Sequence, residues 1–202
     1  GVDCFNLFDL SREPISFKDN PRDHIPKYGS IVYTIWNNSD EWIYVGIGGL
    51  GQSPNTPLQK RNPVSRIQQH QSGRRSGDQF CIYVHDYFVV PQLDLNQYEF
   101  VRDGLDRLTK QYIQEQLFYR FVVIQNDQSI ELVRKIENDL KTGLDGFGNP
   151  LLNGVSNMDS PFLEKTKLLE NEFGFVVYDG FPVSKGHCLV VPHRVYSNYF
   201  DS

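Results

Sequence analysis

A chain of 202 residues that is 39% hydrophobic and 13% aromatic can build the core of one ordinary domain with a smaller appendage, and its aromatic share excludes disorder of the whole chain. A net charge of −5 excludes a protein that coats nucleic acid by bulk positive charge. No stretch approaches the roughly 20 apolar residues of a membrane-crossing helix, and no early segment has the layout of a secretory leader, so a cytoplasmic location without membrane attachment is expected. Cys4, Cys81 and Cys188 are odd in number and far apart, and read as buried, reduced thiols.

In chain order, residues 1–29 are polar and punctuated by Pro14, Pro21 and Pro26, and read as an arm packed on the domain. Two β-branched and aromatic runs at 31–36 and 42–46, separated by Asn37, Asn38, Ser39 and Asp40, predict a β-hairpin. Residues 58–71 predict a helix, with Pro63 near its first turn and Gly73 as its stop. The run 80–90, rich in Val, Phe and Tyr, predicts a strand. A helix at 105–116 follows from Leu105, Leu108, Tyr112 and Ile113 at helical spacing, then a strand at 119–124. A second amphipathic helix at 129–141 carries the stripe Ile130, Val133, Ile136 and Leu140, and Gly143, Gly146, Gly148 and Pro150 end it. The composition after Asn153 reads as a linker. Beyond it, 162–171 has helical character, and 173–178 and 188–191 read as strands; so short a tail cannot hold an independent core without staples. The expected class is α+β, a small and mainly antiparallel central sheet flanked by helices, with a short C-terminal α/β appendage. The expected organisation is an arm over 1–29, a main domain over 30–155 and the appendage over 156–202.

Charge is unevenly spread. From Trp42 to Gly77 there is no Asp or Glu, while Lys60, Arg61, Arg66, Arg74 and Arg75 all fall in that window. An acid-free basic segment on an acidic protein focuses a local positive potential, which suits a docking polyanion, and Lys60, Arg61, Arg74 and Arg75 are the candidate nucleic-acid contacts.

The hairpin carries Tyr33 at the end of "IVY" and Tyr44 at the start of "YVG", with ten residues between them. Arg66 and His70 stand four apart, so one helical face presents both toward the same place. Glu137 follows in "LVRKIENDLK" and Asn153 in "GNPLLN". Four such motifs in this order, spread over residues 30–154, resemble the GIY-YIG nucleases, and the Arg-x-x-x-His pair resembles that of the family's restriction enzymes. The resemblance implies a metal-dependent endonuclease that hydrolyses phosphodiesters, with DNA the expected polymer and a homodimer as one possible assembly. It implies that Tyr33 takes a proton from water, if a nearby positive group lowers its pKa, and that Tyr44 orients water and phosphate. Arg66 would hold phosphate oxygens with its guanidinium fork. His70 would relay the proton or hydrogen-bond a tyrosine. Glu137 would hold Mg²⁺ or another divalent cation such as Mn²⁺, and Asn153 would brace its loop. Two features depart from the family's pattern: Ile47 stands where some members have Lys, and 80–117 is longer than a minimal domain needs, as if a strand and helix were inserted.

Gly46, Gly48 and Gly51 match a dinucleotide-binding glycine pattern, but a Pro-rich loop follows them and no acid sits about 20 residues on, which rejects that alternative. The tail sequence "FVVYDGFPVSKGHCLVVPHR" resembles the front of a histidine-triad (HIT) domain. That family's His-x-His-x-His strand is absent, because no two of His24, His70, His85, His187 and His193 are separated by one residue. A nucleotide-hydrolysing HIT protein and a non-catalytic nucleic-acid binding module are therefore the two rival expectations.

Overall fold

The computed structural model describes residues 4–53, 55–93, 102–153, 167–170, 174–178 and 188–192. The chain divides into two compact units, Gly1–Gly154 and Val155–Ser202.

In the first unit a four-stranded antiparallel sheet has the order β1-β4-β2-β3. Its strands are β1 (Ile15–Ser16), β2 (Ser30–Asn37), β3 (Trp42–Gly48) and β4 (Leu117–Ile124). β2 lies between the other two long strands and is buried on both faces, which is why its sequence is nearly continuous in apolar residues. The period of two still sorts its side chains. Ile31, Tyr33 and Ile35 join one core cluster, and Val32 and Trp36 join the other. The first cluster includes residues of α1 (Val64–Ser72), α2 (Gln79–Val84) and α3 (Arg102–Gln116), and the second includes Val133 and Leu140 of α4 (Ser129–Lys141). The observed sheet with helices on either side is α+β, as expected.

The segment before β2 contributes to the sheet through β1, whose Ile15 pairs with Tyr119 of β4. Leu7 and Phe17 are fully buried, and the Leu7 carbonyl accepts the Thr34 hydroxyl at 2.8 Å. The outer edge of β3 is closed by the end of the unit, where the Leu151 and Leu152 amides donate to the Trp42 and Ile43 carbonyls at 3.0 and 2.8 Å. That contact covers a strand edge that would otherwise template aggregation.

The strand expected over 80–90 is overturned. Residues 80–90 are helical: α2 runs into a π-helical turn, His85–Val89, and a 3₁₀ turn, Val90–Gln92. Asp78 starts α2 by accepting the Phe80 amide at 3.2 Å. Phe80, Cys81, Val84, His85 and Val89 are buried while Ile82 is exposed, a spacing no strand could give. Burial against α3 and the sheet decides the matter over the run's β propensity. The inserted segment is thus helix and helix, with residues 94–101 outside the description.

In the second unit, β5 (Lys167–Glu170), β6 (Gly174–Tyr178) and β7 (Cys188–Pro192) form an antiparallel sheet in that order. The expected helix at 162–171 is replaced over 167–170 by β5, because pairing with the open edge of β6 outweighs a weak local periodicity. The linker at 154–166 lies outside the described residues. So does most of the HIT-like stretch, including His187 and His193. Among the described residues no helix is long and apolar enough to cross a membrane.

Gly73 caps α1 with φ +66, and a Cβ there would strike the backbone of Lys110 on α3. Gly73→Ala should therefore cost more than the about 1 kcal/mol typical of a left-handed position, since the helix pair must also separate. The midpoint of denaturant unfolding measures it.

Candidate active site

The hairpin register sets the site. Tyr33 lies opposite Gly46, and Tyr44 opposite Ile35, so the two phenols project from one face with ring centroids 6.5 Å apart. Gly46 is needed there: a Cβ would strike the Tyr33 hydroxyl. α1 packs across this face and delivers Arg66 and His70, one helical turn apart.

The Tyr33 hydroxyl lies 2.7 Å from His70 Nε2, and His70 Nδ1 lies 2.6 Å from Asp78 Oδ2. All three groups are buried. Burial, which disfavours the charged imidazole, outweighs the Asp78 carboxylate and lowers the His70 pKa. The ring is therefore neutral near pH 7. Burial alone would raise the Asp78 pKa, but the His70 hydrogen bond and the charge of Arg66 help bring it below the usual carboxylate value. An ionised Asp78 takes the proton-bearing Nδ1, which leaves Nε2 as an acceptor for the Tyr33 O–H. The result is a directed chain, Tyr33 to His70 to Asp78.

Asp78 also accepts the Cys81 thiol at 3.3 Å and pairs with Arg66 Nη2 at 3.7 Å. Burial pushes the Cys81 thiol up, so it serves as a neutral donor. Neither Asp78 nor Cys81 was expected at the site. The available signal was the position of Asp78, the first acid after the acid-free stretch and eight residues past His70.

Arg66 is half-buried, and although burial works against its charge, Tyr33, Asp78 and Tyr44 together raise its pKa. Its charge lowers the pKa of Tyr33, as expected of a nearby cation. Burial overrides that effect and leaves Tyr33 well above the ordinary tyrosine value. Tyr44 is likewise pushed up to about 12, by burial first, with Arg66 opposing and Glu137 adding to the rise. Tyr33 is therefore un-ionised at neutral pH.

Tyr33, Tyr44, Arg66 and Glu137 line one cleft of about 870 Å³, together with the polar loop after β3 and Lys60. Glu137 projects from α4, is 15% exposed, and has Lys141 Nζ 3.2 Å from its Oε1. Among the described residues there is no group of three His, Cys, Asp or Glu side chains arranged for a metal. A lone carboxylate in a polar cleft does not suit zinc, which takes three or four protein ligands. It fits Mg²⁺, which keeps several waters and is held by one or two carboxylates plus substrate phosphate.

Asn153 braces rather than faces the cleft. Its side chain accepts the Val45 amide at 2.5 Å and donates to the Val45 carbonyl at 2.8 Å, fixing the strand next to Tyr44. Of the four expected nucleic-acid contacts, only Lys60 is exposed at the cleft. Arg61 is 6% exposed, with Nε on the Thr56 carbonyl and Nη1 on the Ser129 hydroxyl. Arg74 and Arg75 follow the far end of α1, beyond about 9 Å of helix from the cleft residue Arg66, and Arg75 pairs with Asp106 at 2.7 Å.

Compared with protein-family models, curated proteins and solved structures, the chain gives no match. Function must therefore be argued from the site itself.

A neutral buried His70 makes a testable contribution to stability. Above its unfolded pKa of about 6.5 neither state binds the proton, so there is no effect; below it the unfolded chain gains a proton that the fold refuses, and stability falls by up to about 1.4 kcal/mol per pH unit. Lowering the pH from 7.5 to 5.5 should reduce the first unit's Tm by about 3–5 °C more in the wild type than in His70→Gln. Asp78, titrating below the ordinary carboxylate range, is silent in that window.

Proposed function

We propose that this protein is a metal-dependent endonuclease that hydrolyses phosphodiester bonds of nucleic acid, with DNA as the substrate. The observation that carries the reading is the buried Tyr33–His70–Asp78 chain ending at a cleft that also holds Arg66 and Glu137. Hydrolysis needs a base for water and neutralisation of the charge that builds on phosphate, and the cleft offers both.

In this mechanism the attacking water gives its proton to the Tyr33 oxygen as Tyr33 passes its own to His70 Nε2. As the new oxygen–phosphorus bond forms, the bond from phosphorus to the leaving oxygen breaks and its electron pair goes to that oxygen, which takes a proton from solvent. The proton removed from water rests on a His70 imidazolium facing Asp78 until it returns through Tyr33. No free tyrosinate accumulates, which removes the difficulty of a phenol whose pKa is raised by burial. Tyr44, whose ring centre lies 6.5 Å from that of Tyr33 on the same face of the sheet, orients water and phosphate. The guanidinium of Arg66 receives two phosphate oxygens, and its link to Asp78 holds it in place. Glu137 would hold Mg²⁺, which when bound neutralises charge on the phosphate and the leaving alkoxide. Asn153 acts by holding β3 still.

A non-catalytic binding module would need the basic surface but not a directed proton chain buried in the core. The histidine-triad reading draws on 175–194, of which only 175–178 and 188–192 are described, and neither of the stretch's histidines, His187 and His193, is among them.

Glu137→Gln is nearly isosteric but a poorer ligand for a hard cation. It should retain the fold and oligonucleotide binding while Mg²⁺-dependent cleavage drops by about 10²–10³-fold, the scale of losing one transition-state contact. Cleavage at the wild-type rate at limiting Mg²⁺ would refute the metal role.

Arg66→Lys should cleave almost as poorly as Arg66→Ala, because an ammonium cannot present two parallel donors to phosphate. Their affinities for oligonucleotide at low salt should stay close to wild type. Gel-based cleavage rates and fluorescence anisotropy provide the two measurements, and near-normal cleavage by the Lys variant would reduce Arg66 to general surface charge.

A further inference from the structure

A second cavity, of about 350 Å³, adjoins the cleft and shares Lys60 and Asn62 with it. Arg22, Lys27, Lys60 and Arg61 line it over a floor that includes Ile25 and Val64, and no carboxylate lines it among the described residues. Two of its cations come from the arm and two from the loop before α1.

The backbone under these charges is fixed. Asn20 caps the turn Pro21–Asp23 by accepting the Arg22 amide at 3.2 Å, and Pro21 and Ile25 are buried beneath it. The Gly29 amide donates to the Arg61 carbonyl at 3.2 Å, which ties the arm to the loop. The two nearest acids of the arm are engaged with its own residues: Asp23 with Asn20 at 3.4 Å, and Asp19 with His24 at 3.5 Å. Arg61 is immobilised by Thr56 and Ser129, while Arg22, Lys27 and Lys60 reach solvent. Four positive charges gathered around one small cavity of a net acidic chain repel one another, and an anion relieves that repulsion.

We propose that this cavity is a second phosphate-binding site, which takes a backbone phosphate of the same nucleic-acid strand, next to the phosphate held in the cleft. The inference rests on the nuclease reading for its choice of polyanion. It assigns a binding role to Arg22 and Lys27. It runs the positive track from the cleft across the arm, away from Arg74 and Arg75.

The test measures the dissociation constant of the full chain for a fluorescent oligonucleotide across a salt series in EDTA. The wild type is compared with Arg22→Gln/Lys27→Gln, Lys27→Gln alone, and Arg12→Gln as a control at an exposed arm position outside the cavity. Losing one neutralised phosphate should reduce the slope of log affinity against log salt by about 0.7–0.9 in the double variant. Affinity near 0.1 M salt should weaken about tenfold, the single variant should lie between, and Arg12→Gln should stay within twofold of wild type. Ethylation interference should lose one sensitive phosphate beside the scissile one. An unchanged slope in both cavity variants overturns the proposal, as does equal weakening by Arg12→Gln, which would mean diffuse charge. So does stabilisation by inorganic phosphate, dependent on Arg22 and Lys27, without oligonucleotide binding. If the wild type binds as described but cuts no nucleic acid with Mg²⁺, the nuclease reading fails and this one stands. If it cuts while the cavity variants keep the wild-type slope, the outcome is reversed.

Discussion

The buried carboxylate of Asp78 is the constraint on which the site depends. It accepts the Phe80 amide in the first turn of α2, the Nδ1 proton of His70 and the Cys81 thiol, and it sits against Arg66. A charge removed from water at this depth is tolerable only when so fully bonded. Each bond also fixes something else: the start of α2, the tautomer of His70, the reach of Arg66. The orientation of the Tyr33 hydroxyl is set two bonds away by a residue that never meets the cleft.

The strand β2 supplies the other half of the arrangement. Its odd residues face the helices that bring Arg66 and His70, and its even residues face the layer of α4, whose helix carries Glu137. Both halves of the proposed chemistry therefore register against one strand buried on both faces. The polar link from Arg61 to Ser129, on to Ser30 at 2.8 Å and then to the Gly49 carbonyl at 2.8 Å, joins the loop before α1 to the first residue of α4. Charge on the basic cavity and the footing of the Glu137 helix are thus mechanically connected.

Most of the first unit was legible from local pattern. The hairpin, the helix 129–141 and the stop at Gly73 depend on alternation, a 3.6-residue stripe and a left-handed cap, all written in neighbouring residues. Segment 80–90 was not, because Phe, Tyr and Val suit a strand until Asp78 caps a helix and the core takes every third or fourth side chain. The cleft residues Tyr33, Tyr44, Arg66 and Glu137 were found through motif order. Asp78 escaped because its work is done through His70, and sequence spacing says nothing of a contact made between two helices. Arg61 and Arg75 looked like surface charge because a run of basic residues gives no hint of Ser129 or Asp106 waiting for them. The helix expected over 162–171 failed at 167–170 for the reverse reason, since a strand edge formed by later residues claimed those residues.

The contact between Gly46 and the Tyr33 hydroxyl divides the molecule into parts with different freedom to change. Opposite Tyr33 the ladder admits no side chain, so the hairpin at Gly46 is locked by the place of the Tyr33 hydroxyl. Beyond it the polar loop that walls the cleft is held at its far end by Thr56, which accepts the Gln52 and Ser53 amides through its hydroxyl and Arg61 Nε through its carbonyl. A loop whose bonds run to Thr56 and Arg61 can be recoded at its exposed side chains without moving the Tyr33 hydroxyl. A lineage built on this scaffold could change the wall of the cleft much faster than the Tyr33–His70–Asp78 chain behind it.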